Sequence, residues 1–541
     1  MAVPPRGRHL ARWLPTGASA LVVVGVIAVV LWQMHLPLLL SSTSTTGGDM
    51  GAHFMMPAFF NSHLLPHLTG WDPDWYDGYP DYNYYFVLPD VLVALAAHVM
   101  SYDIAFKLAT VAGSVLLPVV AWGLGKLAGL RAPIPAALAA ATLPFLFDYT
   151  WTIYGGNLFS TLAGEYSFSL SVALLVLFLG LFASGVRTGR HRALSAIVLA
   201  ACFLAHVVPG ALALAGAGLL TVVELLPGRL RLRDEEYLGP RSAPAQTHVA
   251  GEDGPDGQGG RGRGATLWWS VSTVVIGMLL VSWWLVPFLV EGTYSTSMNY
   301  TKVTTYVAVL FPEADLWALV LAAVAVVVAV VRRSRFGVVV AVLGGLAAAA
   351  VVLDPLRSLY NVRFLPLWFL CVYLMVGWLF GVTVAELARR SRHARFARWA
   401  RVVEDARAAA AWSAASGDDT SRDVDEGTSP RAPTRRPPPR IGRWAPGAVG
   451  GACLALVAAL AVVVPPFVPW FATSLPQLGI HPGSNQVSVW ADWNYTGYEG
   501  KADYPEYHGL MQLMSRVGLT HGCGRAMWEY NADENRFGTP E

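Results

Sequence analysis

Apolar runs of bilayer length recur along this chain and leave few folds open to it. A transmembrane helix needs about 20 apolar residues. The first run, roughly Ala18 to Leu40, contains no Asp, Glu, Lys or Arg. Others fall at roughly 104–128, 132–147, 167–186, 193–207, 208–227, 265–289, 315–331, 336–353, 363–387 and 446–470, about eleven in all. A hydrophobic share of 54% against 14% charged agrees with a chain that lives in a bilayer,. The expected fold is an all-α integral membrane protein with about eleven transmembrane helices.

Charge placement orients these spans. Arg6, Arg8 and Arg12 precede the first run, so it starts on the cytoplasmic side, as an uncleaved anchor,. If every run crosses once, Lys126/Arg131, Arg187/Arg190/Arg192, the 228–264 linker, Arg332/Arg333/Arg335 and the 388–444 segment all fall inside. That requires 86–101, short and interrupted by Pro89 and Asp90, to be a re-entrant or juxtamembrane helix,.

The resulting organisation is an N-terminal transmembrane module (1–227) with an outer loop at 41–85, and a disordered cytoplasmic linker (228–264). A second module (265–388), a disordered basic linker (389–444), a last span (445–470) and an extracytoplasmic segment (471–541) follow,. The end at Gly538-Thr-Pro-Glu541 has no tail-like composition and reads as a truncation. A net charge of +2 provides no electrostatic case for nucleic acid,. Cys202, Cys371 and Cys453 sit in apolar runs as small hydrophobes, and Cys523 has no visible partner,.

On this topology the polar chemistry collects at the outer face. In Ser41-Ser-Thr-Ser-Thr-Thr-Gly-Gly-Asp49-Met-Gly-Ala-His53, a carboxylate and an imidazole stand four residues apart, on one face of a helix,. Asp49 there is either a base or cation ligand, or the cap of the following helix. The segment Trp71-Asp-Pro-Asp-Trp75-Tyr-Asp-Gly-Tyr79-Pro-Asp-Tyr-Asn-Tyr-Tyr85 mixes flat rings with acids. Trp75 and Tyr79 suit a sugar's apolar face, and an aromatic interface belt explains them equally well.

Asn157 and Glu165 stand in Tyr154-Gly-Gly-Asn157-Leu-Phe-Ser-Thr-Leu-Ala-Gly164-Glu165, where Glu165 is either a site acid or a helix-start acid,. His206 lies at a hairpin, where a lone His is more often structural than catalytic. Arg357 and Arg363 are outward arginines against the charge rule. Each is suited to a phosphate, or else paired with a neighbour such as Asp354 or Glu291,. The sequence holds no phosphate-cradling glycine loop, Cys-x-x-Cys, His-Glu-x-x-His or Gly-x-Ser-x-Gly,.

A long outer loop bearing Asp49, Gly78-Tyr-Pro80, a half-depth helix and many spans together resemble the GT-C superfamily of membrane glycosyltransferases. The strings Gly47-Gly-Asp49, Gly155-Gly-Asn157, Ala163-Gly-Glu165-Tyr-Ser167, His206-Val-Val-Pro-Gly210, Asn361-Val-Arg363-Phe-Leu-Pro366 and Asn494-Tyr-Thr-Gly-Tyr-Glu-Gly-Lys501 resemble bacterial membrane proteins called 6-pyruvoyl-tetrahydropterin synthase-related. No pterin-enzyme zinc-histidine pattern accompanies them here.

The superfamily resemblance implies transfer of a sugar from a polyprenyl-phosphate donor to a glycan or glycolipid acceptor, with membrane lipids around the protein. Asp49 matches the superfamily's first-loop acid and would be the catalytic base. Arg363 and His206 are assigned to the lipid phosphate, and Glu165 to the sugar or a metal. His53, Asn157, Arg357, Trp75 and Tyr79 complete the substrate-binding set. A divalent cation on Asp49 and Glu165 is the one cofactor the residues invite, and the missing Asp-x-Asp in the second outer loop leaves it open. The rival readings are a lipid or glycan flippase, which would carry ionisable groups along its spans, and a non-catalytic envelope scaffold using the tail from Trp490.

Overall fold

The structure, a computed structural model, describes residues 7–75, 78–227, 230–233, 262–294, 302–353, 360–415, 486–524 and 536–538. In chain order it forms α1 (Gly7–Gln33), α2 (Leu36–Leu39), α3 (Met50–Phe59), the hairpin β1 (Gly70–Asp72) and β2 (Tyr79–Asp81), α4 (Val87–Ala96), α5 (Tyr102–Leu127), α6 (Ile134–Leu146) and α7 (Leu158–Leu162). These are followed by α8 (Tyr166–Thr188), α9 (Arg192–Ala205), α10 (Val207–Leu225), α11 (Arg263–Val290), α12 (Tyr306–Leu310), α13 (Leu316–Arg332), α14 (Arg335–Leu353) and α15 (Leu365–Ala415). The last helices are α16 (Gln486–Tyr495) and α17 (Tyr504–His521).

Among the described residues, seven helical stretches are long and apolar enough to cross a membrane: α5, α8, α10, α11, Tyr306–Arg332, α14 and Asn361–Arg390. The chain is multi-pass. The first expected span is also short, its apolar helix being Gly17–Gln33 with no continuation to Leu40, and two more are shorter than anticipated: α6 has 13 residues and α9 has 14. At 1.5 Å per residue each reaches only about 20 Å, against roughly 30 Å of hydrocarbon. Pro135 opens α6 and Pro144 lies near its end. Left-handed His191 and extended His206 bound α9. As expected, α4 is too short to cross, with 10 residues. The expected span at 446–470 lies outside the described residues.

The fold is mostly helical, as expected, with one small addition: β1 and β2 pair antiparallel, Trp71 opposite Pro80. One further expectation needs correction. The stretch 389–415, expected as disordered linker, continues α15 as helix; it is rich in Ala and Arg, which are good helix formers. In the C-terminal segment, α16 packs against α1, α2 and α7.

At the centre α8 packs on α5, α9 and α10, while α15 packs on α6, α13 and α14. Small residues allow this closeness, since lipid itself provides no hydrophobic drive between helices. A Cβ on Gly113 of α5 would stand 2.3 Å from the Ser169 carbonyl carbon of α8. Lys107 of α5 is fully buried, a costly placement unless its donors are satisfied,. Carbonyls of Leu38, Ser41 and Tyr495 and hydroxyls of Ser41 and Thr43 surround its ammonium at 2.6–3.2 Å. That cage ties α5 to the first loop and to the C-terminal segment.

Candidate active site

The site is built on a seam between two glycine-bearing loops. The Asp49 amide donates to the Ala163 carbonyl at 3.0 Å. Gly164 has φ +118°, and a Cβ there would stand 2.8 Å from the Asp49 Cβ. Only glycine tolerates both the conformation and the approach, so Gly164 is what sets Asp49 beside Glu165. The tail closes the seam from the other side. Thr46 N donates to Asn494 O at 3.0 Å, and the Asn494 amide donates to Leu162 O at 2.7 Å. The string around Asn494 is therefore a clasp across both loops.

Neither acid is spent on helix capping. Asp49 sits at the N-cap of α3 and Glu165 at that of α8, and neither side chain makes a cap bond. Glu165 instead forms an ion pair with Arg363, with the two side chains 14% and 16% exposed. Arg363 lies in the 3-10 turn Asn361–Phe364 that leads into α15. The alternative reading of Arg363 as one half of an ion pair thus holds with another acid, from a loop distant in sequence, and Asp354 lies outside the described residues. Asn361 braces the turn, accepting from Val303 N at 3.2 Å and donating to Val351 O at 2.9 Å. The second terminal nitrogen of Arg363, Nη1, is buried without a hydrogen-bond partner among the described residues.

Two imidazoles and a phenol complete the group. The His53 Nε2 and Tyr85 hydroxyl lie 3.0 Å apart, with His53 edge-on to Tyr166 at 5.6 Å. Burial pushes His53 down to about 4, so the ring is neutral at physiological pH,. His206 accepts the Val208 N–H on Nδ1 at 3.2 Å and is held between the rings of Phe86 and Phe168. Burial, then the Arg363 charge, hold His206 well below its ordinary value. Burial and the charges of Glu165 and Asp90 raise the Tyr85 hydroxyl well above its ordinary range, against the opposing Arg363 charge. Behind it, Asp90 accepts from Tyr82 at 3.0 Å and from Tyr166 at 3.3 Å, and burial pushes it up to about 7.

Five residues foreseen from sequence thus meet in one electrostatic neighbourhood: Asp49, His53, Glu165, His206 and Arg363. The others do not join them. Asn157 is fully buried and committed to its own loop: Oδ1 accepts from Ser160 N, and the amide donates to Asp148 O and Trp151 O. Its expected substrate role gives way to loop bracing. Trp75 packs against the Met56, Phe60, Leu64 and Tyr82 cluster. Tyr79 is half-buried on the hairpin, its hydroxyl pushed up to about 12 by burial, Asp81 and Tyr84. Arg357 lies outside the described residues.

Sequence reading missed two things. Tyr85 was one aromatic among many, and only its place at the end of the aromatic segment, before the α4 helix, hinted at a role. The second is a buried acid pair. Tyr373 approaches Asp148 at 3.0 Å and Asp315 at 3.1 Å, and Thr150 approaches the same two carboxylates at 2.7 and 3.1 Å. Burial and then Asp315 raise Asp148 well above the usual carboxylate range.

A resident cation does not fit the residues as placed. Glu165 is bound to Arg363, and no group of three or more His, Cys, Asp or Glu able to hold a metal occurs among the described residues.

No family model and no curated protein matches the sequence. Among solved structures it is similar to the Archaeoglobus fulgidus oligosaccharyltransferase in the apo form, at 10% identity over 95% of this chain and 61% of that one, TM-score 0.45. It is also similar to the archaeal oligosaccharyltransferase AglB from Archaeoglobus fulgidus in complex with an inhibitory peptide and a dolichol-phosphate, at 12% identity over 92% of this chain and 60% of that one, TM-score 0.34. The chain spans about three fifths of the length of these structures. Likenesses this distant leave the functional assignment to the site's own geometry.

Proposed function

We propose that this chain is a membrane glycosyltransferase that moves a sugar from a polyprenyl-phosphate donor to a cell-envelope glycan or lipid acceptor on the extracytoplasmic face. The observation that carries the proposal is the state of Arg363: one terminal nitrogen held by Glu165, the other buried and without a hydrogen-bond partner among the described residues, in the same field as Asp49. An orphaned guanidinium donor in a low-dielectric pocket is costly unless an anionic oxygen meets it.

The chemistry balances with the groups present. The acceptor oxygen forms a bond to the anomeric carbon as the bond from that carbon to the carrier phosphate breaks. The acceptor's proton passes to the Asp49 carboxylate, and the charge that develops on the departing phosphate is met by Arg363. Glu165 fixes the guanidinium so that it need not reorganise during the step. Neutral His53 and His206 shape the pocket without adding positive charge. The sidedness, the domain division and the finer likeness to the 6-pyruvoyl-tetrahydropterin synthase-related proteins of bacteria belong to the same proposal.

The test compares wild-type, Asp49→Asn and Arg363→Ala chains in a deletion strain, with extracted lipids and glycans as readout. Both variants are expected to accumulate lipid-linked sugar while the protein stays folded in the membrane. Unaltered lipids and glycans in both would support a scaffold. A cysteine introduced near position 49 and labelled only from the cytosol would overturn the sidedness.

A further inference from the structure

At the opposite end of the bundle from Glu165 and Arg363, a second site can be read. A narrow, partly open cleft with a cavity volume of about 50 Å³ runs among α5, α8, α10, α14 and α15. Its walls are apolar, with Leu179, Ala183, Leu212 and Leu343 among them, and its only charged lining residues are Arg187 and Arg335. Glu165 opens α8 and Arg187 lies in its last turn. The 23 residues of that helix put about 35 Å between the two sites,.

The arginines are placed by the fold. Arg187 donates through Nε to Ala183 O and through Nη2 to Leu127 O, both at 3.0 Å. Arg335 forms an ion pair with Glu224 through Nη1, and its Nη2 is buried without a hydrogen-bond partner among the described residues. Arg231 reaches the same Glu224 at 3.9 Å. The backbone of Arg233 bridges to the α13–α14 turn, bonding Arg333 O at 2.7 Å and Arg335 N at 3.0 Å. Arg332 Nη1 is likewise buried without a hydrogen-bond partner among the described residues. Two guanidinium groups, of Arg335 and Arg231, therefore meet the Glu224 carboxylate, and Arg187 and Arg335 mark the polar end of an apolar cleft.

We infer that this cleft binds an anionic glycerophospholipid, with an acyl chain along the apolar walls and the phosphate at Arg187 and Arg335. An apolar cleft in a bilayer-embedded bundle forfeits dispersion contacts unless hydrocarbon fills it. Among the described residues its lining carries two guanidinium groups and no carboxylate, which selects a headgroup with net negative charge. This inference does not rest on the proposed transfer reaction.

The experiment is native mass spectrometry of the full chain after exposure to equal amounts of phosphatidylglycerol and phosphatidylcholine with identical acyl chains. The wild type should retain phosphatidylglycerol over phosphatidylcholine by on the order of tenfold. Arg187→Gln should bring that ratio near unity, whereas Arg187→Lys keeps a preference. Ala183→Phe fills the cleft without touching a charge and should abolish retention of both lipids, with unfolding midpoints confirming that each variant folds. Equal retention of the two lipids by the wild type overturns the inference by itself, whatever the variants do. So does undiminished phosphatidylglycerol retention by folded Ala183→Phe.

Discussion

The bundle carries one arginine–glutamate pair at each end, Arg363–Glu165 and Arg335–Glu224, and the two are nearly equal in burial. The side chains are 16% and 14% exposed in the first and 13% and 15% in the second. Their surroundings differ. Around the first stand Asp49, Tyr85 and a neutral His206. Around the second stand more arginines and the apolar cleft. A buried ion pair is thus a poor mark of chemistry, because structure alone can require one. The titratable groups gathered round it, with a proton acceptor beside a fixed cation, distinguish a reaction site from a binding mouth.

The largest effect that sharpens this comparison is on turnover. Asp49→Asn should lower sugar transfer by about 10²–10⁴-fold with an unchanged unfolding midpoint. The two arginines should then part company. Arg363→Gln and Arg335→Gln each leave a glutamate buried and unpaired, and each should cost about 3 kcal/mol in thermal or denaturant unfolding. Only Arg363→Gln should abolish transfer. Equal loss of transfer in both would erase the distinction between the ends. In a double-mutant cycle, Glu165→Gln with Arg363→Gln should regain much of the stability and none of the turnover.

A smaller effect is pH dependence. His53 has its folded value depressed to about 4 from 6.5. Between those values the unfolded chain binds the proton and the folded chain refuses it. Stability is therefore full above about pH 6.5 and falls as pH drops toward 4, by at most about 3 kcal/mol. Asp81 and Asp90, pushed up to about 7, act in the opposite sense. The measurement is accordingly the difference between wild type and His53→Gln, in which the acid-side slope should shrink; an unchanged slope would remove His53 from the account. Smallest is the clasp. Asn494→Ala deletes the bond to Leu162 O and should cost about 1–2 kcal/mol, with a loss of transfer larger than the loss of folded protein,.

Much of the fold was legible because bilayer length and apolarity act locally: a run either can or cannot cross, and neighbouring residues decide it. The short helices α6 and α9 were harder, since composition does not reveal where a proline or a left-handed residue stops a helix inside an apolar run. At the site, Asp49, Glu165, His206 and Arg363 stood out through the strings they belong to. Their partners did not. Arg363 was read as a phosphate ligand, with a pair to a carboxylate such as Asp354 or Glu291 as the alternative, and its ion pair with Glu165 was not among the readings because the two are far apart in sequence.

The amino-acid order by itself determined that this chain is a multi-pass membrane protein, because hydrophobic partition is a property each segment carries alone. Tertiary structure decided that Glu165 neutralises Arg363, that Tyr85 meets His53, and that a tail helix clasps the Asp49 loop. Those outcomes depend on which buried donor lies within hydrogen-bond reach of which acceptor once the helices have packed. That reach is set by close approaches such as Gly164 on Asp49 and Gly113 on α8, which belong to pairs of segments and to no segment alone.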